Sequence, residues 1–325
     1  MTVSPIDPQI QLFVDGVAAA YARHPDVMTL PVEQGRRVVE EVRRPWCQGG
    51  PAMHATEEHL FDLPGGAMRA RIHRPDNRRD GAALIYLHGG GFTFFSIDTH
   101  DRLMREYAAR SGMTVIGLDY PLSPEAKFPV ALDQVVACVE WLAAHGDAIG
   151  IDGKRLAIGG DSAGGNLSLA AALALRDRGA PSALKALLLN YPGLSPDKSA
   201  DAVARFGGDG AILTASEAEF FWNNYLRDVA DRRNPLANIL IADLAGLPPA
   251  LFIVAEIDLL AEQSAIMADR IRDAGGVAEL KLYRGAVHGF VEAMSVSTLA
   301  GRAIADAAEW LVSLPAMAEP MRTAQ

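Results

Sequence analysis

The stretch Gly160-Asp161-Ser162-Ala163-Gly164 decides the fold of this chain. It follows the apolar run Leu156-Ala157-Ile158 and precedes the helix-prone residues 166–175. An apolar strand, a sharp turn flanked by glycines and a helix, in that order, form a nucleophile elbow. The two glycines are needed because side chains at their positions would collide with the neighbouring strand and helix. The pattern predicts that Ser162 is a nucleophile whose hydroxyl stands exposed above a sheet.

The composition is that of a globular protein. The 325 residues are long enough for one large α/β domain or two small ones, and half of them are apolar. No apolar run approaches the roughly 20 residues that span a bilayer. The formal net charge of -10 argues against a general affinity for nucleic acid or for an anionic membrane. Residues 1–7 lack the basic and apolar regions of a signal peptide, so a cytoplasmic location is the default prediction.

The only two cysteines are Cys47 and Cys138. They provide neither a disulfide framework nor a zinc pattern, and both are expected to be buried thiols. No cofactor is implied either: the P-loop lysine pattern, the first-turn dinucleotide fingerprint and the H-E-x-x-H zinc motif are all missing.

Two helices are predicted in the first fifty residues, before any strand. Asp7 can cap the first helix, and its apolar face repeats at helical spacing. The second is predicted from near Pro31 to Arg44, where Pro45 stops it. Because no sheet precedes these helices, they must pack on a later part of the chain, either as a lid or as an interface.

A sheet of eight strands is predicted downstream. A hairpin turning at Pro64-Gly65-Gly66 provides two strands, at residues 58–63 and 68–73. Continuous apolar runs then alternate with helix-like segments, as in a mostly parallel sheet covered by helices on both faces. These runs are residues 83–87, 113–118, 156–158, 186–189, 251–254 and 280–283.

One long segment interrupts this alternation, between Asn190 and Ala250. Its roughly sixty residues far exceed an ordinary βα loop, so the segment must have structure of its own. Residues 214–217 form a capping box, and Phe221, Trp222 and Tyr225 follow at helical spacing. We expect a second lid piece here. The alternative is that the aromatic residues only pack this helix onto the body of the protein.

A serine nucleophile needs a general base that is itself oriented by a third group. His288 directly follows the last predicted strand, and it fits the chain order of serine, acid and histidine expected for such a sheet. Glu256 and Asp258 share the preceding strand end and the same face, so periodicity alone does not separate them. Asp258 is preferred because it lies further out, while Glu256 is expected to be a buried partner of backbone or helix groups.

A second glycine-rich element, His88-Gly89-Gly90-Gly91-Phe92, follows the strand at residues 83–87. Bare glycines allow backbone amides to approach a substrate and to stabilise a developing oxyanion. The predicted donors are the amides of Gly90, Gly91 and Ala163, the last at the start of the elbow helix. His88 is expected to hold the loop by hydrogen bonds. The alternative is that the three glycines only make the loop flexible.

Together these motifs resemble the hormone-sensitive-lipase-like branch of the α/β-hydrolases, also called bacterial family IV esterases. The resemblance includes Asp119-Tyr120-Pro121-Leu122-Ser123-Pro124-Glu125 and covers residues 5–315. Residues 98–102 and 122–126 are further similar to bacterial acetyl esterases. The branch usually has arginine where this chain has Pro121, and proline where it has Leu259. The change at Pro121 could alter the support behind the oxyanion loop. The change at Leu259 could alter the shape of the loop that carries Asp258.

The resemblance implies an α/β-hydrolase fold with a triad of Ser162, Asp258 and His288 and with a helical cap. We expect cap helices over residues 1–50, a catalytic domain over 51–315 with a cap insertion at about 195–235, and a tail over 316–325. The expected activity is hydrolysis of short acyl esters, acetyl to about hexanoyl, through an acyl-enzyme. The predicted apolar pocket is lined by Phe92, Phe94, Phe95, Phe221, Trp222 and Tyr225.

Alternative functions use the same framework. An amidase or a lactonase would share the triad, and a peptidase of this superfamily usually has a large extra domain for which this chain has no room. A non-enzymatic binding protein of the gibberellin-receptor type would lack the catalytic histidine, whereas His288 is present. The expected partner is a small ester, and a homodimer through an edge strand near residues 278–284 is possible.

Overall fold

A computed structural model describes residues 3–79 and 81–318. Its centre is one eight-stranded sheet with the strand order β1-β2-β4-β3-β5-β6-β7-β8. The strands are β1 Ala55–Leu63, β2 Gly66–Arg74, β3 Ala83–Leu87, β4 Thr114–Leu118, β5 Leu156–Asp161, β6 Ala186–Asn190, β7 Ala250–Ile257 and β8 Ala278–Val287. The six predicted apolar runs overlap β3 to β8, and the predicted hairpin is the pair β1–β2.

The sheet is mostly parallel, as predicted. The hairpin β1–β2 and the pair β2–β4 are antiparallel, while all other neighbours are parallel. Every residue of β3, β4, β5 and β6 is buried, which explains why these strands are continuously apolar. The carboxyl ends of β3, β5, β7 and β8 meet along one edge of the sheet.

Helices cover both faces of the sheet. Those described are α1 Pro8–Tyr21, α2 Val32–Arg43, α3 Asp101–Ser111, α4 Val130–His145, α5 Ala163–Asp177, α6 Ala200–Phe206, α7 Ala215–Tyr225, α8 Ala261–Asp273 and α9 Thr298–Ser313. The core on one face includes side chains of α4, α5 and α8, and the core on the other includes α1, α3 and α9. Successive residues of β3 alternate between the two cores.

The two helices predicted at the amino-terminal end are α1 and α2. The Asp7 carboxylate caps α1 by accepting the amides of Gln9 and Ile10. After α2 ends, Pro45 lies in a short 3-10 helix, Arg44–Cys47. In the long insertion, the predicted capping box at the start of α7 is present, with Thr214 and Glu217 bonded reciprocally.

Three smaller expectations have mixed outcomes. Cys138 is buried, but Cys47 is only half-buried and donates its thiol hydrogen to the carbonyl of Thr99. Met317 is fully buried, so the predicted tail packs on the body at this residue, and the rest of the tail from 319 lies outside the described residues. None of the helices in the described ranges has the length and apolarity to cross a membrane.

Candidate active site

The elbow serine is the N-cap residue of α5 and directly follows β5. Its backbone has φ 53° and ψ -113°, a conformation that residues with a side chain rarely adopt. A Cβ atom at Gly160 would lie 2.3 Å from the carbonyl oxygen of Leu87, and one at Gly164 only 2.0 Å from the same oxygen. The glycines flanking Ser162 are therefore required sterically, as the sequence pattern predicted.

Ser162, His288 and Asp258 form a continuous hydrogen-bonded relay. The Nε2 atom of His288 lies 3.0 Å from the Ser162 hydroxyl, and its Nδ1 atom lies 2.8 Å from a carboxylate oxygen of Asp258. The other Asp258 oxygen accepts the amide of Leu260, which fixes the carboxylate. Burial disfavours a charged imidazole, but the negative charge of Asp258 and its hydrogen bond raise the pKa of His288 above its usual value. The imidazole is thus placed to accept the serine proton.

The competing carboxylate, Glu256, points elsewhere. Its side chain accepts the amide of Gly285 at 2.9 Å and the amide of Ser4 at 3.4 Å. It is half-buried rather than buried, but it partners backbone groups as expected. The two carboxylates therefore have different partners. Glu256 lies within β7, whereas Asp258 lies just beyond its end.

The glycine loop after β3 lines the same cavity as Ser162 and His288. Gly90 and Gly91 have φ values of 98° and 60°, which favour glycine. The Gly90 carbonyl accepts the amides of Thr93 and Phe94, and the Gly91 carbonyl accepts the Thr93 hydroxyl. Over residues 3–79 and 81–318, by contrast, the amides of Gly90, Gly91 and Ala163 have no acceptor. Free amides of this kind can stabilise a developing oxyanion.

His88 holds the loop, as predicted. Its Nδ1 atom lies 2.8 Å from the Gly89 carbonyl, and its ring stacks on Tyr120 at a centroid distance of 4.3 Å. The Tyr120 hydroxyl donates to the His88 carbonyl at 2.8 Å. Burial, together with the nearby charge of His100, lowers the pKa of His88 to about 3, so the ring is neutral and can donate to Gly89.

Backbone strain is concentrated at this site. The non-glycine residues with positive φ in the described part of the chain are Phe92, Phe95, Ser162 and Tyr191. All four line one cavity. Such conformations cost on the order of 1–3 kcal/mol each and persist only where the surroundings enforce them. Their clustering around Ser162 is independent support for a functional site at this position.

The cavity above Ser162 has a volume of about 380 Å³. Its walls come from α1, α2, the glycine loop and α7, so both predicted lid pieces contribute to it. Five of the six predicted pocket aromatics line it: Phe92, Phe94, Phe95, Phe221 and Trp222. The prediction for Tyr225 is wrong. Tyr225 is fully buried behind the wall, where its ring stacks on Phe92 at 3.7 Å with an interplanar angle of 5°.

The cavity wall also contains an ion pair that the sequence did not reveal. Arg43 of α2 donates to Glu292 at 3.0 Å, and both side chains are about 8% exposed. The guanidinium also lies over the ring of Phe95, 4.9 Å from its centroid. The two charges are 249 residues apart in the chain, so no local pattern connects them.

A second acid–histidine pair lies behind the nucleophile. His100 and Asp161 are both buried, and their side chains approach to 3.2 Å. The Asp161 carboxylate also accepts the Tyr86 hydroxyl at 3.1 Å. Together with Glu292, these two residues are a possible three-ligand metal group by spacing. Each already has a partner, however, since His100 pairs with Asp161 and Glu292 with Arg43.

Comparison with known proteins identifies the family. Residues 84–292 match a family described by its alpha/beta hydrolase fold. An acetyl esterase of Salmonella paratyphi B is 33% identical over 283 residues, which are 87% of this chain and 87% of that protein. A hyperthermophilic esterase of the archaeon Pyrobaculum calidifontis has a TM-score of 0.89 at 32% identity, covering 96% of this chain and 99% of its own. A thermostable esterase of Pseudomonas putida has a TM-score of 0.88 at 29% identity, covering 96% and 98%.

The chain therefore belongs to the α/β-hydrolases, in their hormone-sensitive-lipase-like branch. Within that class it is a carboxylic ester hydrolase similar to bacterial acetyl esterases.

Proposed function

We propose that this carboxylesterase hydrolyses short-chain acyl esters through an acyl-enzyme on Ser162. The Ser162 oxygen attacks the ester carbonyl carbon while its proton passes to Nε2 of His288. Collapse of the tetrahedral intermediate breaks the ester bond, and the departing alcohol takes the proton from His288. A water molecule activated by the same imidazole then releases the acid. The observation that carries this proposal is the relay from Ser162 through His288 to Asp258.

The amides of Gly90, Gly91 and Ala163 have the complementary role in this proposal. Negative charge develops on the carbonyl oxygen during both attacks, and preorganised donors stabilise it far better than mobile water. Ala163 is also the first residue of α5, where the positive end of the helix dipole adds to the effect. Loss of one such donor typically costs about a hundredfold or more in rate.

The preference for short acyl chains is inferred from the cavity. Its volume of about 380 Å³ must accommodate both the acyl and the alcohol part of a substrate. This is near the lower end of the roughly 300–1,000 Å³ of small-molecule sites. In this proposal α1, α2 and α7 act as the cap over the catalytic domain and limit the space. A cytoplasmic location and a homodimer through the edge strand β8 remain predictions.

The test is hydrolysis of p-nitrophenyl esters from acetate to palmitate by the wild type and Ser162→Ala. We expect turnover of the short esters, a decline beyond about hexanoate and no turnover by Ser162→Ala. Rates that rise steadily toward palmitate would contradict the assigned chain length. Matched p-nitroanilides and lactones in the same assay distinguish an esterase from an amidase or lactonase with the same triad.

A further inference from the structure

The oxyanion loop is attached to the rest of the protein through two carbonyl groups that follow its glycines. The carbonyl of Phe92 accepts the amide of Ser123 at 2.7 Å. Thr93 is fully buried, and its carbonyl accepts a hydrogen bond from Nε of Arg36 at 2.9 Å. The carbonyls of Gly90 and Gly91 are used within the loop itself. Tyr120 holds the loop before these glycines, and the two outer bonds hold it after them.

A single side chain contacts both points of attachment. Arg36 of α2 bonds Thr93 directly, and it also donates to the carbonyl of Ser123 at 2.9 Å. Its guanidinium is oriented by Glu125, which accepts two hydrogen bonds at 3.0 and 2.7 Å. Arg36 makes four hydrogen bonds to these three partners, two of them to the Glu125 carboxylate. A planar guanidinium has five donors in a fixed geometry, whereas an ammonium group has only three and cannot make all four bonds.

The loop needs this support because it is strained. Phe92 and Phe95 have φ values of 61° and 67°, and Thr93 lies between them. Bulky residues stay in this region only where their surroundings leave no alternative. If the Thr93 carbonyl were released, the backbone between the two phenylalanines could relax. The amides of Gly90 and Gly91 precede this segment directly and would shift with it.

We propose that Arg36 is a positioning residue for the oxyanion hole. Its guanidinium links α2 to the loop, so that the helix that forms part of the cap also sets the geometry of the catalytic amides. The inference rests on the proposed function, because it assigns the amides of Gly90 and Gly91 to the oxyanion. If the role of Arg36 were purely structural, it would attach α2 to the catalytic domain without affecting the position of the catalytic amides.

The two roles differ in what they change. A purely structural loss would loosen the cavity, and KM would rise while kcat stayed the same. Loss of a positioning residue weakens binding of the transition state more than binding of the substrate, so kcat falls. Glu125 is 53% exposed, and ion pairs with such a partner add little to stability. The fold of the variants should therefore survive the substitution.

The experiment compares Arg36→Gln with Arg37→Gln. Arg37 is the next residue of α2, carries the same charge and is exposed without a hydrogen bond or ion pair in the described structure. Steady-state hydrolysis of p-nitrophenyl acetate gives kcat and KM. Inhibition by 1,1,1-trifluoroacetone reports on the oxyanion directly. Its carbonyl carbon bonds to the Ser162 oxygen, whose proton moves to His288, and the resulting hemiketal oxyanion lies in the hole.

We expect Arg37→Gln to behave as the wild type. Arg36→Gln should lower kcat by about tenfold to a hundredfold, the size of effect that a small misplacement causes. It should weaken inhibition by the ketone by a similar factor while KM changes less than about threefold. Arg36→Lys should recover part of the loss, since it can still reach one of the three acceptors. If Arg36→Gln does not fold, Glu125→Gln is the alternative variant. It removes only the charge of the carboxylate that orients the Arg36 guanidinium, and it should also lower kcat.

Equal kcat values for Arg36→Gln and Arg37→Gln would overturn the inference, and so would a loss of kcat with unchanged inhibition by the ketone. Either result leaves the proposed function intact if the wild type is active. A wild type that folds but does not hydrolyse p-nitrophenyl acetate overturns the proposed function and this inference together.

Discussion

Replacement of Asp258 by asparagine tests the relay at its most informative point. In the wild type, Nδ1 of His288 donates to the Asp258 carboxylate at 2.8 Å, which leaves Nε2 free to accept the Ser162 proton. An asparagine amide can place its NH₂ group toward Nδ1 instead. The imidazole then carries its proton on Nε2, the tautomer that cannot accept a proton from serine. The variant keeps the size of the side chain and removes only the charge and the selected tautomer.

The expected loss in kcat is about 10⁴-fold, the size known for this substitution in serine triads. It corresponds to about 5.4 kcal/mol of transition-state stabilisation, because each factor of ten is worth 1.36 kcal/mol. The pH profile should change as well. Activity rises with pH as His288 loses its proton, and Asp258 raises the pKa of that step. In Asp258→Asn the pKa falls, so the acidic limb of the profile should move to lower pH.

The matched control is Glu256→Gln, which removes a charge two residues earlier on the same strand face. Glu256 accepts hydrogen bonds from Gly285 and Ser4 and has no contact with His288 in the described part of the chain, so its substitution should leave kcat within about threefold of the wild type. The assay is kcat/KM for p-nitrophenyl acetate from pH 5 to pH 9 for the three proteins. The reasoning is refuted if Glu256→Gln loses as much activity as Asp258→Asn, or if Asp258→Asn stays within tenfold of the wild type.

Three further predictions concern the surroundings of the relay. Gly91→Ala should lower kcat by about a hundredfold or more. The added Cβ would lie 2.1 Å from the ring of Phe221, and the φ of 60° favours glycine. A variant as active as the wild type would show that the Gly91 amide does not stabilise the oxyanion. The pKa of His88 is lowered by burial from 6.5 to about 3, so its contribution to stability is complete above pH 6.5 and is lost as the pH falls toward 3. From pH 7 to pH 5 the free energy of unfolding in urea should therefore fall by about 2 kcal/mol more in the wild type than in His88→Asn. The unfolded imidazole takes up its proton over about 1.5 of these pH units, below 6.5, and each unit is worth about 1.36 kcal/mol. Equal slopes would contradict this. Finally, Thr99 donates its hydroxyl proton to the Ser96 carbonyl, so Nδ1 of His100 must donate to Thr99 while Nε2 faces Asp161. We therefore expect a protonated imidazole. Proton NMR at neutral pH should show two ring N–H signals that are absent in His100→Gln. A single ring N–H signal would contradict the prediction, because the imidazole would then be neutral.

The sequence was informative wherever function depends on a residue next to a strand end. His88, Ser162, Asp258 and His288 each follow their strand directly, and parallel strands bring these ends to one edge. Local patterns of apolar residues and glycines therefore located four separate parts of the site. The choice of Asp258 over Glu256 followed from the same logic, since only a residue beyond the strand can turn toward the histidine.

Prediction failed where the direction of a side chain depends on packing. Phe221, Trp222 and Tyr225 lie on one short helix, and their spacing indicated a common face. In the structure Phe221 and Trp222 line the cavity, while Tyr225 packs behind Phe92. The last residue of α7 does not line the cavity. Helical periodicity shows which residues share a face, but it does not show where along the helix the cavity ends. The ion pair between Arg43 and Glu292 was missed for a related reason, because neither residue has a local signal.

The departure at Pro121 shows how the two kinds of information combine. The resemblance to the family indicated that an arginine common in that family is absent here, and this raised the question of what supports the oxyanion loop. In the structure a guanidinium does lie behind that loop, but it comes from Arg36, 89 residues before its partner Glu125. The charge is thus provided by the helix pair that precedes the sheet. If Arg36 positions the loop as proposed, those helices are part of the catalytic machinery as well as a cover, and their removal should lower kcat even for substrates small enough to need no cap.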